Sequence, residues 1–327
     1  MLCGLDEYFE SYGDPGVHRV MIGDHARTDA FRRAIEACVK PGDVVLDVGA
    51  GSGILSLFAA RAGALRVYAV EPAPIGAVIA DLARANGLAD RVRVRRCPVE
   101  ELELHEDVDV LMSEWMGYFG LAECMFESVL AARDAFLAPR GLMLPSRFRL
   151  HLFPCEHERL HREHGVGLWE RPVYDLDFSP MLEHDLTELL TTSPNIPPEA
   201  ALGPAQLLCE VDCKTGDVDE FWFDGSAELV FERDGTLHAL GGYFEVDLGP
   251  DVTLSCAPSA PSTHWRQSWF PLRPFAVRRG DKLAVRMRAV RPASGDSRLP
   301  VYLLEGELTR GPGDTHAFFY RHAGSFE

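Results

Sequence analysis

Lysine is nearly missing from this chain. Of its 32 basic residues only Lys40, Lys214 and Lys282 are lysines; the rest are arginine. No fold demands that imbalance, which reads as the codon bias of a GC-rich, bacterial genome. Long uncharged apolar runs are also missing, so no membrane span is expected. The opening MLCGLDEYFE has neither the basic flank nor the apolar run of a secretory signal. Eight cysteines occur, at 3, 38, 97, 124, 155, 209, 213 and 256, but none forms a CxxC pair and none joins histidines at zinc spacing. Reduced core thiols, no metal and a cytoplasmic location are the expectations. Positive charge is short as well: 50 acidic residues against 32 basic give a net charge of −18. Phosphates would be repelled from such a surface, which disfavours nucleic acid and suits a cationic partner.

What is present is apolar bulk and an ordered alternation of patterns. With 327 residues, 46% of them hydrophobic, the chain can bury a sizeable core as two domains or one large one. From about Thr28 to Leu144, helical spacing alternates with short apolar runs. Asp43–Asp47, Arg66–Val70, Arg91–Arg95 and Val108–Met112 read as strands. ILSLFAARAG reads as a helix that Gly63 caps, Ile75–Ala85 as a second and Phe126–Phe136 as a third. Such βα units predict a parallel sheet with helices on both faces. The texture changes near Leu144-Pro145. Residues 155–205 look helical or irregular. From Leu207 onward short alternating runs, separated by turns such as Arg233-Asp234-Gly235, predict an antiparallel sandwich or barrel.

Two constellations carry chemistry. Asp47-Val48-Gly49-Ala50-Gly51-Ser52-Gly53 leaves a strand and opens a helix, so the backbone turns sharply and a ligand can approach the helix start. Glu71, ending the next strand, can accept bonds from both hydroxyls of a ribose. The loop fits a dinucleotide or S-adenosylmethionine; its GxGxG form and the leading Asp47 favour the methyl donor. Glu100, in a loop after the third strand, is either an acceptor for an adenine amino group or a solvated acid. The second constellation is Ser113-Glu114-Trp115-Met116-Gly117-Tyr118 followed by Glu123. Both glutamates fall beyond the carboxyl ends of the strands, where open α/β sheets bind ligands. Taken alone, Glu123 is also explained as a helix N-terminal acid and Glu114 as a loop residue.

These motifs together resemble the protein arginine N-methyltransferase family. The resemblance rests on Tyr8-Phe9-Glu10-Ser11-Tyr12 with His18 and Met21, Asp24 through Arg27-Thr28, the glycine loop with Glu71, Val99-Glu100-Glu101, Ser113–Tyr118 with Glu123 and Met125, and Thr263-His264-Trp265. It implies an α/β fold: a Rossmann-like class I S-adenosylmethionine-dependent methyltransferase domain over residues 1–145, then a β-barrel domain over 146–327. A helical dimerisation arm at about 165–203 would make the protein a homodimer. The resemblance implies that Tyr8, Phe9 and Tyr12 close over the donor as a lid, and that Arg27 meets the donor's methionine carboxylate. Asp47, Gly49, Gly51, Gly53, Glu71 and Glu100 would form the rest of the cofactor site, with Met21 and Met125 on its acceptor side. Met21, Met116, Tyr118 and Trp265 would surround the acceptor. His264 with Asp24 would serve as a proton route or as a structural tie.

The chemistry implied has a physical rationale. A guanidinium is a poor nucleophile because its charge is delocalised and its pKa is about 12.5–13.8. Glu114 and Glu123 would grip it by charge-assisted bonds and leave one nitrogen with lone-pair character. The acceptor would be arginine in a protein or free L-arginine, and the product mono- or asymmetric dimethylarginine. Departures from the family pattern at Glu7, Pro72, Ala122 and Cys124 bear on substrate shape more than on chemistry. A catalytically inactive cofactor-binding scaffold is the rival reading, and a NAD-dependent oxidoreductase, resting on the glycine loop alone, is a third.

Overall fold

The computed structural model describes residues 12–187, 189–291 and 298–324. Two helices lead. α1 (Pro15–Gly23) is capped by the Asp14 carboxylate. α2 (His25–Cys38) is capped by Asp24, whose side chain accepts from the Arg27 amide, and it buries Ala30, Phe31, Ala34, Ile35 and Cys38 on one face.

Five parallel strands follow: β1 (Val44–Val48), β2 (Arg66–Val70), β3 (Val92–Arg95), β4 (Val108–Met112) and β5 (Leu137–Leu144). Their order in the sheet is β3-β2-β1-β4-β5. β1 is buried along its whole length because it pairs with β2 on one side and β4 on the other. The chain therefore reverses its direction of winding between β1 and β4, and a crevice must open beyond their carboxyl ends. α3 (Ile54–Ala62) starts after Gly53 and ends at Gly63, both in the left-handed region, as the predicted cap required. The helix expected over Ile75–Ala85 is split. Pro74 opens a 3₁₀ turn to Val78, and α4 (Ile79–Ala85) follows.

β5 ends at Leu144, and β6 (Arg147–Cys155) already belongs to the second half of the molecule. That half holds two five-stranded sheets. In one, the central strand β10 (Gly235–Gly249) pairs with β6, β11 (Val252–Ser255) and β12 (Ser268–Val277), and β6 pairs with β8 (Gln206–Asp212). The other runs β7-β15-β14-β13-β9, over Leu189–Thr191, Asp314–Gly324, Val301–Gly311, Lys282–Val290 and Asp224–Val230. The sheets meet through a Thr192–Trp269 bridge at one seam and at the other where Gly225 lies against the Leu208 backbone. Between residues 155 and 205 the predicted helical texture hides β7, whose three residues add parallel to β15. A run that short carries no periodicity.

Aromatic packing joins the halves. Trp115 and Phe119, on the hairpin after β4, and Phe126, at the start of α5 (Phe126–Phe136), are all buried. Trp115 lies 5.2 Å from Phe148 of β6, Phe119 5.0 Å from Phe270 of β12, and Phe126 stacks at 4.8 Å on Phe221. The hairpin closes with Gly120 donating to the Gly117 carbonyl at 2.9 Å and Gly117 to that of Gly120 at 3.3 Å. Gly120 has φ +73°, and a Cβ there would fall 2.4 Å from the Phe148 ring.

Gly120→Ala therefore carries both backbone strain and overpacking, and should lower stability by about 2 kcal/mol or more. Thermal unfolding of the two proteins checks it; equal melting temperatures would refute the wedge.

Candidate active site

The crevice at the reversal point is a cavity of about 350 Å³. It is lined by the glycine loop after β1, by Glu71 after β2, by Glu100, by the hairpin after β4 and by α1. Carboxyl ends of adjacent strands thus deliver the lining side chains to one place.

The donor-cradle candidates come first. Gly49 and Gly51 line the cavity with positive φ, and a Cβ on Gly49 would strike the Met125 methyl at 2.1 Å. Glu71 is buried; its Oε2 accepts from the Gly51 amide at 2.7 Å and its Oε1 from the Ala73 amide at 2.8 Å. Burial pushes its pKa up against the pull of those amides. Each carboxylate oxygen keeps lone pairs for further donors. Glu100 is exposed at the rim, and its Oε1 accepts the Ser128 hydroxyl at 2.5 Å.

The two hairpin glutamates face the same cavity. Glu114 has its side chain almost entirely buried. Its Oε2 accepts from Arg27 Nε at 3.0 Å and Nη2 at 2.5 Å, and its Oε1 from the Met116 amide at 3.1 Å. Arg27 was expected to face a ligand carboxylate. Here its guanidinium closes on Glu114, with Nη1 on the Met21 carbonyl at 3.3 Å. Glu123 accepts the Tyr12 hydroxyl on Oε2 at 2.8 Å. Met21, Met116 and Met125 complete that end of the cavity.

Six candidates stand outside this lining: Asp24, Asp47, Gly53, Tyr118, His264 and Trp265. His264 donates to Asp24 Oδ2 twice, from its amide and from Nδ1, each at 2.8 Å, and it borders a separate surface groove with Asp24. Burial works against the Asp24 carboxylate, but the His264 imidazole and the Arg27 and His264 amides hold its pKa below the ordinary value. The pair thus ties the α2 cap to the barrel. Trp265 donates its indole N–H to the Met116 carbonyl at 2.8 Å and meets Phe244 edge to face. It supports the hairpin from behind. Gly53 has a positive φ and abuts Ile79, shaping the helix start. Tyr8 and Phe9 lie outside the described residues.

Several cavity residues were not among the candidates, and three of them make side-chain hydrogen bonds there: His18, Ser128 and Arg298. His18, noted only within the N-terminal motif, is buried, and its Nε2 donates to the Tyr12 carbonyl at 2.9 Å. Ser128 is signalled by its place in the first turn of α5. Arg298 has no local signal, being 175 positions from the Glu123 it touches. Among the described residues no group of side chains is arranged to hold a metal ion, and no helix is long and apolar enough to cross a membrane. The described cysteines are free thiols; Cys38, Cys155, Cys213 and Cys256 are buried, and Cys97, Cys124 and Cys209 are partly so.

Fold and cavity define a class I S-adenosylmethionine-dependent methyltransferase carrying a β-barrel. The comparisons place it further. A family model for the arginine methyltransferase oligomerization subdomain matches residues 146–304, and one for ribosomal protein L11 methyltransferase matches residues 14–117. Protein arginine N-methyltransferase 1 of Schizosaccharomyces pombe is 34% identical over 305 residues, covering 91% of this chain and 88% of that protein. A probable protein arginine N-methyltransferase 6 of Arabidopsis thaliana is 35% identical over 304 residues, covering 80% of this chain and 69% of its own. Among solved structures, a chain of the Trypanosoma brucei PRMT1 enzyme-prozyme heterotetrameric complex with AdoHcy superposes with a TM-score of 0.87 at 30% identity, covering 96% of this chain and all of that one. Arabidopsis thaliana protein arginine methyltransferase 10, in an open conformation, gives 0.85 at 31%, covering 97% and 99%. The chain belongs to the protein arginine N-methyltransferase family.

Asp47 offers a test of the electrostatics under the glycine loop. It is fully buried, with Oδ2 accepting the Ser56 hydroxyl at 2.6 Å, and burial pushes its carboxyl from 3.8 up to about 7. Between those values the folded chain keeps a proton that the unfolded chain has released, so this group's stabilisation declines as pH rises through the window. The melting temperature of Asp47→Asn relative to wild type should climb from pH 4 to pH 7 and level off above. A pH-independent difference would refute the shift.

Proposed function

We propose that this protein transfers a methyl group from S-adenosylmethionine to a guanidino nitrogen of arginine in protein substrates. The observation that carries it is the meeting of two pairs of carboxylates in one cavity: Glu71 with Glu100 beside the glycine loop, and Glu114 with Glu123 on the hairpin. The first pair suits a nucleoside and the second a guanidinium. A nicotinamide enzyme has no use for the second pair. Free L-arginine gains no support, since the relatives found are named as protein arginine methyltransferases.

Residues of the chain fit the donor. Gly49 and Gly51 leave room for its backbone-side approach, Glu71 receives the ribose hydroxyls, and Glu100 with Ser128 receives the adenine amino group. Arg27, whose guanidinium closes on Glu114 here, would turn to the methionine carboxylate when the donor binds. Bound S-adenosylmethionine supplies an electrophilic methyl on a sulfonium. Glu114 and Glu123 would draw the guanidinium's charge toward the nitrogens they bind and leave the remaining nitrogen with lone-pair character to take the methyl. Met21, Met116 and Met125 exclude water from that contact and bound the acceptor's size. The sulfonium and the guanidinium bring two positive charges into the site; as the methyl moves from sulfur to nitrogen, that nitrogen gives up one proton to solvent, so one cation remains, and two carboxylates balance this sequence better than one. The His264–Asp24 tie holds α2, and with it Arg27, in place.

Two copies assemble through the segment at about 165–203. Tyr174 and Leu176 there are exposed, and the matched family model is named for oligomerization. A location inside the cell, in the cytoplasm, agrees with the free thiols.

Glu123→Gln should lose about 10²–10³-fold in kcat while binding S-adenosylhomocysteine within a few-fold of wild type. Wild-type turnover in that variant would refute the clamp. Mass spectrometry after incubation with an arginine-rich peptide, a folded basic protein and free arginine reads acceptor and methylation state together; methylation of free arginine alone would overturn the protein-substrate reading. Sedimentation at assay concentration should give a dimer, and a monomer would refute the arm's role.

A further inference from the structure

Glu123 sits on strained backbone. Its φ is +80° and that of Cys124 is +52°, a conformation that residues with a Cβ adopt only when their surroundings hold them there. The hairpin's own bonds, Ala122 to the Tyr118 carbonyl and Cys124 to that of Leu121, stop short of the Glu123 peptide groups. Those groups are held from the barrel. The Glu123 amide donates to the Arg298 carbonyl at 2.7 Å, Arg298 Nη1 donates back to the Glu123 carbonyl at 2.9 Å, and the Cys124 thiol donates to the Arg298 carbonyl at 3.5 Å. One residue, on the connection between β13 and β14, thus grips both sides of Glu123. It also lines the cavity beside Glu123 and Tyr12.

We propose that Arg298 is a positioning residue for Glu123. By holding the amide and the carbonyl of the strained residue it fixes the direction of the Cα–Cβ bond, and so aims the carboxylate at the acceptor. Tyr12 holds the far end of the same side chain. An arginine suits the task because its fork reaches past its own backbone while its planar head keeps a fixed direction; a lysine offers one mobile point of contact. The contact also makes the barrel a part of the reaction geometry, since the residue that aims Glu123 lies in the barrel and Glu123 does not. The inference rests on the reading of Glu123 as part of the guanidinium clamp, but its structural half does not.

Arg298→Ala and Arg298→Lys separate the possibilities. With an arginine-rich peptide, Arg298→Ala should lower kcat on the order of tenfold to a hundredfold, as expected for a misplaced reacting group. Affinity for S-adenosylhomocysteine should stay within about threefold, and Arg298→Lys should recover part of the rate. Hydrogen exchange gives a readout independent of activity. Amides of residues 121–125 should exchange faster in Arg298→Ala, with the parallel sheet unchanged. Unaltered exchange in that segment, or an unaltered kcat, overturns the assignment. A loss of cofactor affinity equal to the loss of rate does so too, since it marks general collapse. If Arg298→Ala does not fold, Arg298→Lys is read by the same two measures. A wild-type protein that methylates no arginine refutes the function while the exchange result still decides the contact.

Discussion

The burial of three aromatic rings governs where the chemistry sits. Trp115, Phe119 and Phe126 drive the hairpin after β4 into the space between the parallel sheet and the barrel. Each such ring contributes roughly 1.5–3 kcal/mol when removed from water. Carboxylates could not occupy this position by themselves, because an ion moved out of water is costly unless paired and hydrogen-bonded. Here they travel with the rings. Glu114 immediately precedes Trp115, and Glu123 lies between Phe119 and Phe126. The apolar residues set the position and the acids are carried to the lip of the cavity.

What tolerates the acids is a set of short-range partners. Arg27 and the Met116 amide serve Glu114, two backbone amides serve Glu71, and the Tyr12 hydroxyl serves Glu123. The charge of the whole molecule is a separate matter. A net −18 is spread over surface carboxylates, many of them in arginine pairs such as Arg286–Asp224 and Arg147–Glu210. At physiological salt such charges act within about 8 Å, so they bear on the approach of a basic partner and little on the cavity.

The parallel half was legible because its rules are local. Fully buried strands read as apolar runs, glycines mark the turns, and cavity-lining residues stand at strand ends, as Gly49, Gly51, Glu71 and Glu114 do. Barrel strands were legible as alternation, but not their pairing: β10 is one long strand with three partners, and β7 was hidden. Adjacency in sequence does not say what each residue of Thr263-His264-Trp265 touches. His264 and Trp265 stand outside the cavity lining, because Trp265 reaches the back of the hairpin and His264 turns to the α2 cap. Arg298 was invisible for the opposite reason. Its meaning comes from a contact made across 175 positions, and no short window records it.

Among the described residues the cavity wall begins with Tyr12 and closes with Arg298. During synthesis the parallel sheet and its glycine loop can form once residue 144 has cleared the ribosome, since domains emerge and fold from the N-terminus. The hairpin side of the cavity cannot. Its backbone support arrives with the connection into β14, when nearly the whole chain has been made. A chain released early would hold Glu123 without the barrel residue that grips its backbone, so progress of translation is itself a condition for a finished site.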